Sequence, residues 1–246
     1  MHNPTYRVIQ ILNAVSAHNG ELTLSMISRE TGISVGTIHP ILQTLAGMEF
    51  LSLDDTGRYH TGIRLYLDGF SFTDAAYNGI GSVIKDLRDK TQETCHYGTL
   101  EDGDVLYVIK EESPQSIRMY SAIGRRLPAY GTAVGKALLC LCSAEDLKAM
   151  YPDGLKKLTA NTITDFSVLE EELRNVREEG FAREVEESNL GIRCLAKPVV
   201  VKGKVPAAVS VGIPVFRYDA SKEEAIKRCL SDAVEKISKI LAGVQA

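Results

Sequence analysis

The fold of the N-terminal part is decided by one stretch, LTLSMISRETGISVGTIHPILQTL (residues 22–45). It contains two helical patterns separated by a tight turn at Gly32, and Thr23 and Ser34 stand where the N-caps of the two helices belong. In the second pattern apolar residues recur every three or four positions, which is typical of a helix with one buried face. A short helix, a glycine turn and a longer helix predict a helix-turn-helix.

An N-terminal helix and a hairpin flank this stretch. Residues 3–17 have helical spacing and begin with a proline at the first helical position. Segments 50–53 and 58–61 flank DDTG (54–57), a turn that contains glycine, and this arrangement predicts a β-hairpin. Residues 1–62 therefore fit a winged helix-turn-helix, whose third helix enters the major groove of DNA. The pattern alone fits a small helical subdomain without DNA binding equally well.

The remainder of the chain alternates strands and helices. Hairpin turns such as EDGD (101–104) and KGK (202–204) predict a largely antiparallel sheet of six strands with helices on it. The expected strands are 94–100, 105–110, 116–121, 181–186, 194–201 and 205–213, with helices at 74–91 and 132–141 and two more behind capping boxes at Ser167 and Ser221. We therefore predict an α+β protein with a winged helix-turn-helix at 1–62, a linker at 63–73 and an effector-binding domain at 74–246.

Composition excludes several classes of protein. The chain has 246 residues, of which 44% are hydrophobic, and a net charge of −4, so no global field attracts it to nucleic acid. Neither a signal peptide nor a run of about 18 apolar residues is present, so we expect no membrane partner. The five cysteines are odd in number and lack framework spacing. This favours reduced thiols in a cytoplasmic protein.

Three motifs suggest chemistry but lack the residues for it. GTAVGKA (131–137) is one residue short of a phosphate loop and has alanine where the magnesium-binding hydroxyl belongs. Cys95 and His96 point to opposite faces of a strand, and the larger domain has no second histidine. A hydrolase built from Cys194, His96 and Glu184 has no support in their spacing. We therefore expect no metal, no cofactor and no enzyme activity.

Five segments, in their order and separation, resemble the IclR family of bacterial transcription regulators over nearly the whole chain. They are residues 22–45, GRYHTGIRL (57–65), SAIGRRLPAYGTAVGKALLC (121–140), NTITD (161–165) and EESNLGIRCLAKPV (186–199). The resemblance implies a winged-helix domain, a GAF-like effector domain, and homodimers or homotetramers on double-stranded operator DNA. It implies a regulator, such as a repressor, that responds to a small molecule.

The resemblance also implies two sets of site residues. The recognition helix would run from Ser34 to about Met48, with the wing at 51–61. The DNA-facing side chains would be Ser34, Thr37, His39 and Gln43, and Arg58 and His60 of the wing suit contacts near phosphate. The effector pocket would be lined by Met119, Ala133, Val134, Glu184, Ile192, Cys194, Ser210 and Gly212, the last where a family member can supply a serine.

The pocket residues indicate the chemistry of the effector. Free backbone N–H groups at Ala133 and Val134 suit an anion, and Glu184 and Ser210 suit ligand hydroxyl groups. This combination describes a small hydroxy, keto or sugar-derived acid. An uncharged or aromatic ligand is favoured if Glu184 turns outward, or if it pairs with Lys136 or Arg193.

Residues 1–62 depart from a usual DNA-binding domain in two ways. They contain three arginines and five carboxylates, which gives a net charge of −2 with histidine neutral. A DNA-binding domain normally has a basic surface. Family members usually carry a lysine or another polar residue at Val35 and an arginine at Pro40. Because proline removes a helical hydrogen bond, we expect the third helix to begin near Thr37 or to bend. The alternative function is therefore a small-molecule sensor or interaction protein with weakened DNA binding.

Overall fold

The computed structural model describes residues 3–18, 22–54, 56–62, 74–119 and 126–243. The chain divides into two compact units, Met1–Phe72 and Thr73–Ala246. The linker expected at 63–73 lies outside the described residues. Within the described part, no helix is long and apolar enough to cross a membrane, and no group of three or more His, Cys, Asp or Glu residues is arranged to hold a metal ion.

The first unit is the predicted winged helix-turn-helix. Its elements are α1 (Asn3–Ala17), β1 (Leu22–Thr23), α2 (Leu24–Thr31), α3 (Val35–Gly47), β2 (Leu51–Leu53) and β3 (Arg58–Thr61). The strands form an antiparallel sheet in the order β1-β3-β2, of which the two-residue β1 was not predicted. Ile11, Ile27 and Ile38, one from each helix, meet in a core that removes apolar surface from water.

The turn between α2 and α3 follows from its residues. Gly32 ends α2 in the left-handed conformation, with φ of 68°, which glycine adopts without steric cost. The backbone N–H groups of Thr37 and Ile38 both donate to the Ser34 carbonyl, at 2.9 and 3.0 Å. The helix thus begins at Val35, so of the two expected effects of Pro40, a later start near Thr37 or a bend, the later start is wrong. Pro40 removes only the hydrogen bond that would reach back to the first turn.

The second unit is an α+β domain. Its elements are α4 (Asp74–Thr91), β4 (Thr94–Glu101), β5 (Asp104–Glu111), β6 (Arg126–Pro128), a 3-10 turn (Ala129–Gly131), α5 (Ala133–Leu139), α6 (Ala144–Met150), α7 (Phe166–Glu179), β7 (Ala182–Val185), β8 (Ile192–Val199), β9 (Ala207–Pro214), a second 3-10 turn (Val215–Arg217) and α8 (Ala220–Leu241). The six strands form the predicted antiparallel sheet, in the order β6-β5-β4-β9-β8-β7.

Helices cover both faces of this sheet. α5 and α7 pack on the face that carries Cys194, Ala196 and Ala208. α4 and α8 pack together, and α4 contacts the other face, where the Thr91 hydroxyl lies 3.7 Å from the Cys95 thiol. Strand side chains alternate between faces, so alternate residues of β4, β8 and β9 contribute to two separate cores.

Three details differ from the sequence prediction. No strand forms at 116–119, because the chain leaves the sheet after β5 and is anchored at Ser113, whose hydroxyl donates to the Gln92 carbonyl at 2.7 Å. The sixth strand is instead Arg126–Pro128. Helices α7 and α8 are capped by Asp165 and Asp219, two residues before the predicted caps, because a carboxylate there accepts first-turn N–H groups.

Candidate DNA-reading surface and effector site

Helix α3 has one buried side and one exposed side. Ile38, Leu42 and Leu45 face the core of the first unit, whereas His39 and Gln43, one helical turn apart, are exposed. Of the other two predicted contacts on this helix, Ser34 is exposed, and Thr37 is half-buried with its hydroxyl 3.0 Å from that of Ser34. The four residues thus lie along the first three turns of α3.

The wing is organised by one carboxylate. Asp54 Oδ1 accepts hydrogen bonds from the backbone N–H groups of Thr56 and Arg58, both at 2.9 Å, and from the Thr56 hydroxyl at 2.7 Å. Asp54 Oδ2 lies 2.8 Å from His60 Nε2. Desolvation alone would raise the pKa of Asp54, but its hydrogen bonds, of which that from His60 is the strongest, hold the pKa well below its ordinary value. His60 therefore supports the wing turn, whereas Arg58, the first residue of β3, is exposed.

The register of three strands brings the predicted effector residues together. Glu184 on β7 lies opposite Cys194 on β8, which lies opposite Gly212 on β9. In the next row Ser210 of β9 lies opposite His96 of β4. The strands therefore place all five side-chain positions on one face of the sheet, the face that α5 covers.

Glu184 is the central polar residue of this face. Its carboxyl is buried, with 1% of the residue exposed. Oε1 accepts hydrogen bonds from the backbone N–H groups of Glu187 and Ser188, at 2.7 and 3.0 Å, whereas Oε2 has no hydrogen-bond partner in the described part of the chain. Burial raises the pKa of Glu184, and the amide hydrogen bonds only partly oppose this. Lys136 and Arg193 do not pair with it: Lys136 bonds to Glu187, and the Arg193 guanidinium lies over the Tyr218 ring.

Two sulfur atoms complete the floor of the site. Burial and the neighbouring Glu184 carboxylate raise the pKa of the Cys194 thiol well above its ordinary value, so it stays protonated. At Gly212, an added Cβ atom would lie 2.6 Å from Met119 Sδ and 3.5 Å from Cys194 Sγ. The glycine thus leaves the space that the Met119 side chain occupies. Ile192, half-buried, packs at the edge of the same core.

Helix α5 begins beside this floor. Thr132 caps it, with its hydroxyl oxygen accepting from the Gly135 N–H at 2.9 Å. The N–H groups of Ala133 and Val134 have no partner within the helix, and both residues are buried. Gly135 is required for this placement, because a Cβ atom there would lie 2.0 Å from the Ala129 carbonyl oxygen.

Two buried groups escaped the sequence prediction. His96, rejected as a metal ligand, lies on the same sheet face as Ser210, with its ring 4.5 Å from that of Tyr107. Burial, with help from Lys110, lowers the pKa of His96 to about 3. Lys136 is also buried, with Nζ 2.7 Å from Glu187 Oε1. The alternation of β4 indicates which residues share a face with His96, but only the pairing of β4 with β9 brings it to Ser210.

A winged helix-turn-helix followed by a domain with a buried polar sheet face defines a DNA-binding regulator of the two-domain type. Comparison with known families agrees. Residues 5–55 match the IclR helix-turn-helix domain, and residues 78–239 match the model described as bacterial transcriptional regulator IclR C-terminal. The chain belongs to the IclR family of bacterial transcriptional regulators, which confirms the resemblance identified in the sequence. Its members are DNA-binding regulators and not enzymes.

Individual relatives extend over nearly the whole chain. The Escherichia coli K12 HTH-type transcriptional regulator KdgR is 30% identical over 242 residues, which cover 94% of this chain and 90% of that protein. The crystal structure of the KdgR C-terminal domain is 32% identical, covers 68% of this chain and 98% of that one, and superposes with a TM-score of 0.61. An IclR transcriptional regulator from Alicyclobacillus acidocaldarius is 25% identical with a TM-score of 0.72, covering 98% and 99% of the two chains.

Proposed function

We propose that this regulator binds operator DNA through its winged helix and that a small organic or sugar-derived acid, bound on the covered sheet face, changes its DNA affinity. The observation that carries the proposal is the Glu184 carboxyl, in which Oε1 accepts two backbone hydrogen bonds. No nitrogen or oxygen donor among the described residues reaches the buried Oε2, and the neighbouring polar group is the weakly donating Cys194 thiol. A buried polar atom without a hydrogen bond costs about 1–3 kcal/mol. A ligand hydroxyl that donates to Glu184 Oε2 removes this cost.

Each predicted pocket residue has a role in this proposal. The N–H groups of Ala133 and Val134 bind the carboxylate of the ligand. Glu184 accepts from a ligand hydroxyl, and the Ser210 hydroxyl donates to a keto oxygen or bonds to a second hydroxyl. The remaining residues supply apolar contacts or space, and they are Met119, Ile192, Cys194 and Gly212. Two features leave Glu184 available to a ligand hydroxyl, as the proposal requires: its carboxyl turns inward, and Lys136 is bonded to Glu187 instead.

The DNA-binding unit is proposed to comprise residues 1–62, joined through residues 63–73 to the effector domain at 74–246. Ser34, Thr37, His39 and Gln43 face the bases, and Arg58 contacts phosphate. His60 acts on DNA indirectly, through the wing turn that it shares with Asp54. One reading helix contacts too few base pairs for useful specificity, so we propose that the regulator acts as a homodimer, or as a homotetramer built from dimers.

Calorimetric titration of the full chain tests the effector site. The probes are a panel of 2-hydroxy, 2-keto and sugar acids of two to six carbons, with the matching neutral alcohols as controls. We expect at least one acid to bind wild type and to bind Glu184→Gln at least tenfold more weakly. Glu235→Gln, which removes an exposed carboxylate of α8, leaves affinity unchanged. Binding of the neutral compounds alone, or acid binding indifferent to Glu184→Gln, contradicts the proposal.

A second candidate function, a sensor with weakened DNA binding, is favoured by one observation. Residues 1–62 carry a net charge of −2, and a domain with few cations gains little from release of counterions on phosphate binding. In vitro selection from random duplexes separates the two functions. Enrichment of a sequence by the full chain supports the regulator, and failure to enrich any sequence at low salt supports the sensor.

A further inference from the structure

The exposed side of α3 has an unusual composition for a helix that reads DNA. The thirteen residues of the helix, VGTIHPILQTLAG, include no lysine, arginine, aspartate or glutamate. At 100° per residue, Gly36, Pro40, Gln43 and Gly47 form the centre of the exposed side, opposite the buried Ile38. A single amide is therefore the strongest hydrogen-bonding group at the centre of the reading face.

This composition excludes the commonest way of reading guanine. Guanine is usually read by arginine or lysine, which donates to both O6 and N7, and no such side chain extends from α3. Glutamine matches adenine instead, because its amide can donate to N7 and accept from the N6 amino group. Gln43 is exposed, and its side-chain amide makes no hydrogen bond to any residue that the structure describes.

Two apolar side chains on α3 are exposed to solvent and are not part of the buried core. Val35, in the first turn, is 45% exposed, and Pro40, in the second, is also exposed. In the major groove the only apolar group that a base presents is the C5 methyl of thymine. Gly36 and Gly47 have nothing within 4 Å of a Cβ position, so the helix surface between the larger side chains is flat and allows close approach to the base edges.

We propose that α3 reads A·T base pairs, with Gln43 bound to adenine and with Pro40 and Val35 in contact with thymine methyl groups. The inference rests on the proposed function, since it takes α3 as the helix in the major groove. Sequence-independent affinity then comes from the wing, where Arg58 is exposed beside the ordered turn. Specificity by α3 and attraction to phosphate are thus supplied by different elements of the domain.

The test begins with in vitro selection by the full chain from duplexes with 20 random base pairs. We expect A·T pairs at the positions that footprinting assigns to α3. Deoxyuridine then replaces each consensus thymine in turn and deletes only the methyl group. At one or more positions this replacement should weaken wild-type binding about threefold or more. At those positions it should have no effect on the binding of the variant, Pro40→Ala or Val35→Ser, that lacks the side chain in contact with the methyl group. Likewise, 7-deazaadenine, which lacks N7, should weaken binding about fivefold for wild type and not for Gln43→Ala.

The outcomes separate this inference from the function on which it rests. Ile9→Ser on α1, which removes an equally exposed apolar side chain, is the matched control and should keep the wild-type response to deoxyuridine. A consensus with G·C pairs at the α3 positions, or wild-type binding indifferent to both base analogues, overturns the inference while DNA binding stands. Failure to enrich any sequence overturns the proposed function and the inference with it. A misfolded variant would lose its response to the analogues at every position, whereas each substitution should remove it only at the base pair that its side chain contacts.

Discussion

His96 should make the effector domain lose stability in mild acid. The residue is 1% exposed on β4, and its ring lies tilted against that of Tyr107. Burial, assisted by the nearby Lys110 ammonium, lowers the pKa of the imidazole from 6.5 to about 3. Below pH 6.5 the unfolded chain takes up a proton at this histidine that the folded chain cannot accept, so acid favours unfolding.

The size of the effect follows from the two pKa values. For a pKa of 6.5 in the unfolded chain and about 3 in the folded one, the free energy of unfolding should fall by about 2 kcal/mol between pH 7 and pH 5. The loss continues at about 1.4 kcal/mol per pH unit until the folded pKa is reached. The stabilisation is thus complete above pH 6.5 and is lost progressively from there towards pH 3.

The assay is guanidinium unfolding of the full chain at pH 7, 6 and 5, followed by circular dichroism and by the fluorescence of its ten tyrosines. In His96→Gln the loss attributable to this residue should disappear, so the stability difference between variant and wild type should shift by about 2 kcal/mol in favour of the variant. His39→Gln, at an exposed position of the other unit, should keep the wild-type pH dependence. Equal slopes for wild type and His96→Gln, or a His96 pKa near 6.5 measured by NMR in the folded protein, would refute the reasoning.

Three further predictions concern Gly135, Asp54 and Glu184. Gly135→Ala should destabilise the effector domain by more than about 3 kcal/mol in chemical unfolding, because its Cβ meets backbone 2.0 Å away. Gly81→Ala, in open space on α4, should be neutral or stabilise by up to about 1 kcal/mol. Equal changes in the free energy of unfolding for Gly135→Ala and Gly81→Ala would contradict the steric role of Gly135. Asp54→Asn keeps a hydrogen-bond acceptor for the wing turn and removes a negative charge, so DNA affinity measured by fluorescence anisotropy should rise. Asp54→Ala also removes the acceptor and should lower the affinity. If both substitutions change the affinity in the same direction, the wing turn does not depend on Asp54. Burial raises the pKa of Glu184, so ionisation of this carboxyl destabilises the folded domain as pH rises above the ordinary carboxyl range. The melting temperature of Glu184→Gln, relative to that of wild type, should therefore increase between pH 5 and pH 8.

The sequence predicts best where local chemistry decides the structure. α3 and the wing follow from an apolar period of three to four, a glycine that needs positive φ and a polar turn, and the structure has all three. β6 could not be predicted, because its three residues, Arg126–Pro128, have no alternation and gain their place only by pairing with β5. The strand expected at 116–121 does not form in its described part, 116–119, for the converse reason, since the Ser113 hydrogen bond takes the chain out of the sheet.

The candidate site divides in the same way. Residues around α5 were identified through the family resemblance, and the structure gathers them on one face. The burial of His96 and Lys136 was not predicted, because burial of a charged or titratable side chain depends on what packs over it. For Lys136 that partner is Glu187, fifty-one residues away in the chain. A contact between residues so far apart in the chain cannot be predicted from the periodicity of the sequence around either residue.

The backbone contact at Gly135 has a mechanical consequence. With no side chain between them, α5 and the 3-10 turn Ala129–Gly131 lie too close to slide past each other, so they must move as one rigid body. The Ala129 N–H donates to the Gly103 carbonyl at 2.9 Å, which links that body to the tip of the β4–β5 hairpin. A displacement of the start of α5 would therefore also displace the tip of the β4–β5 hairpin.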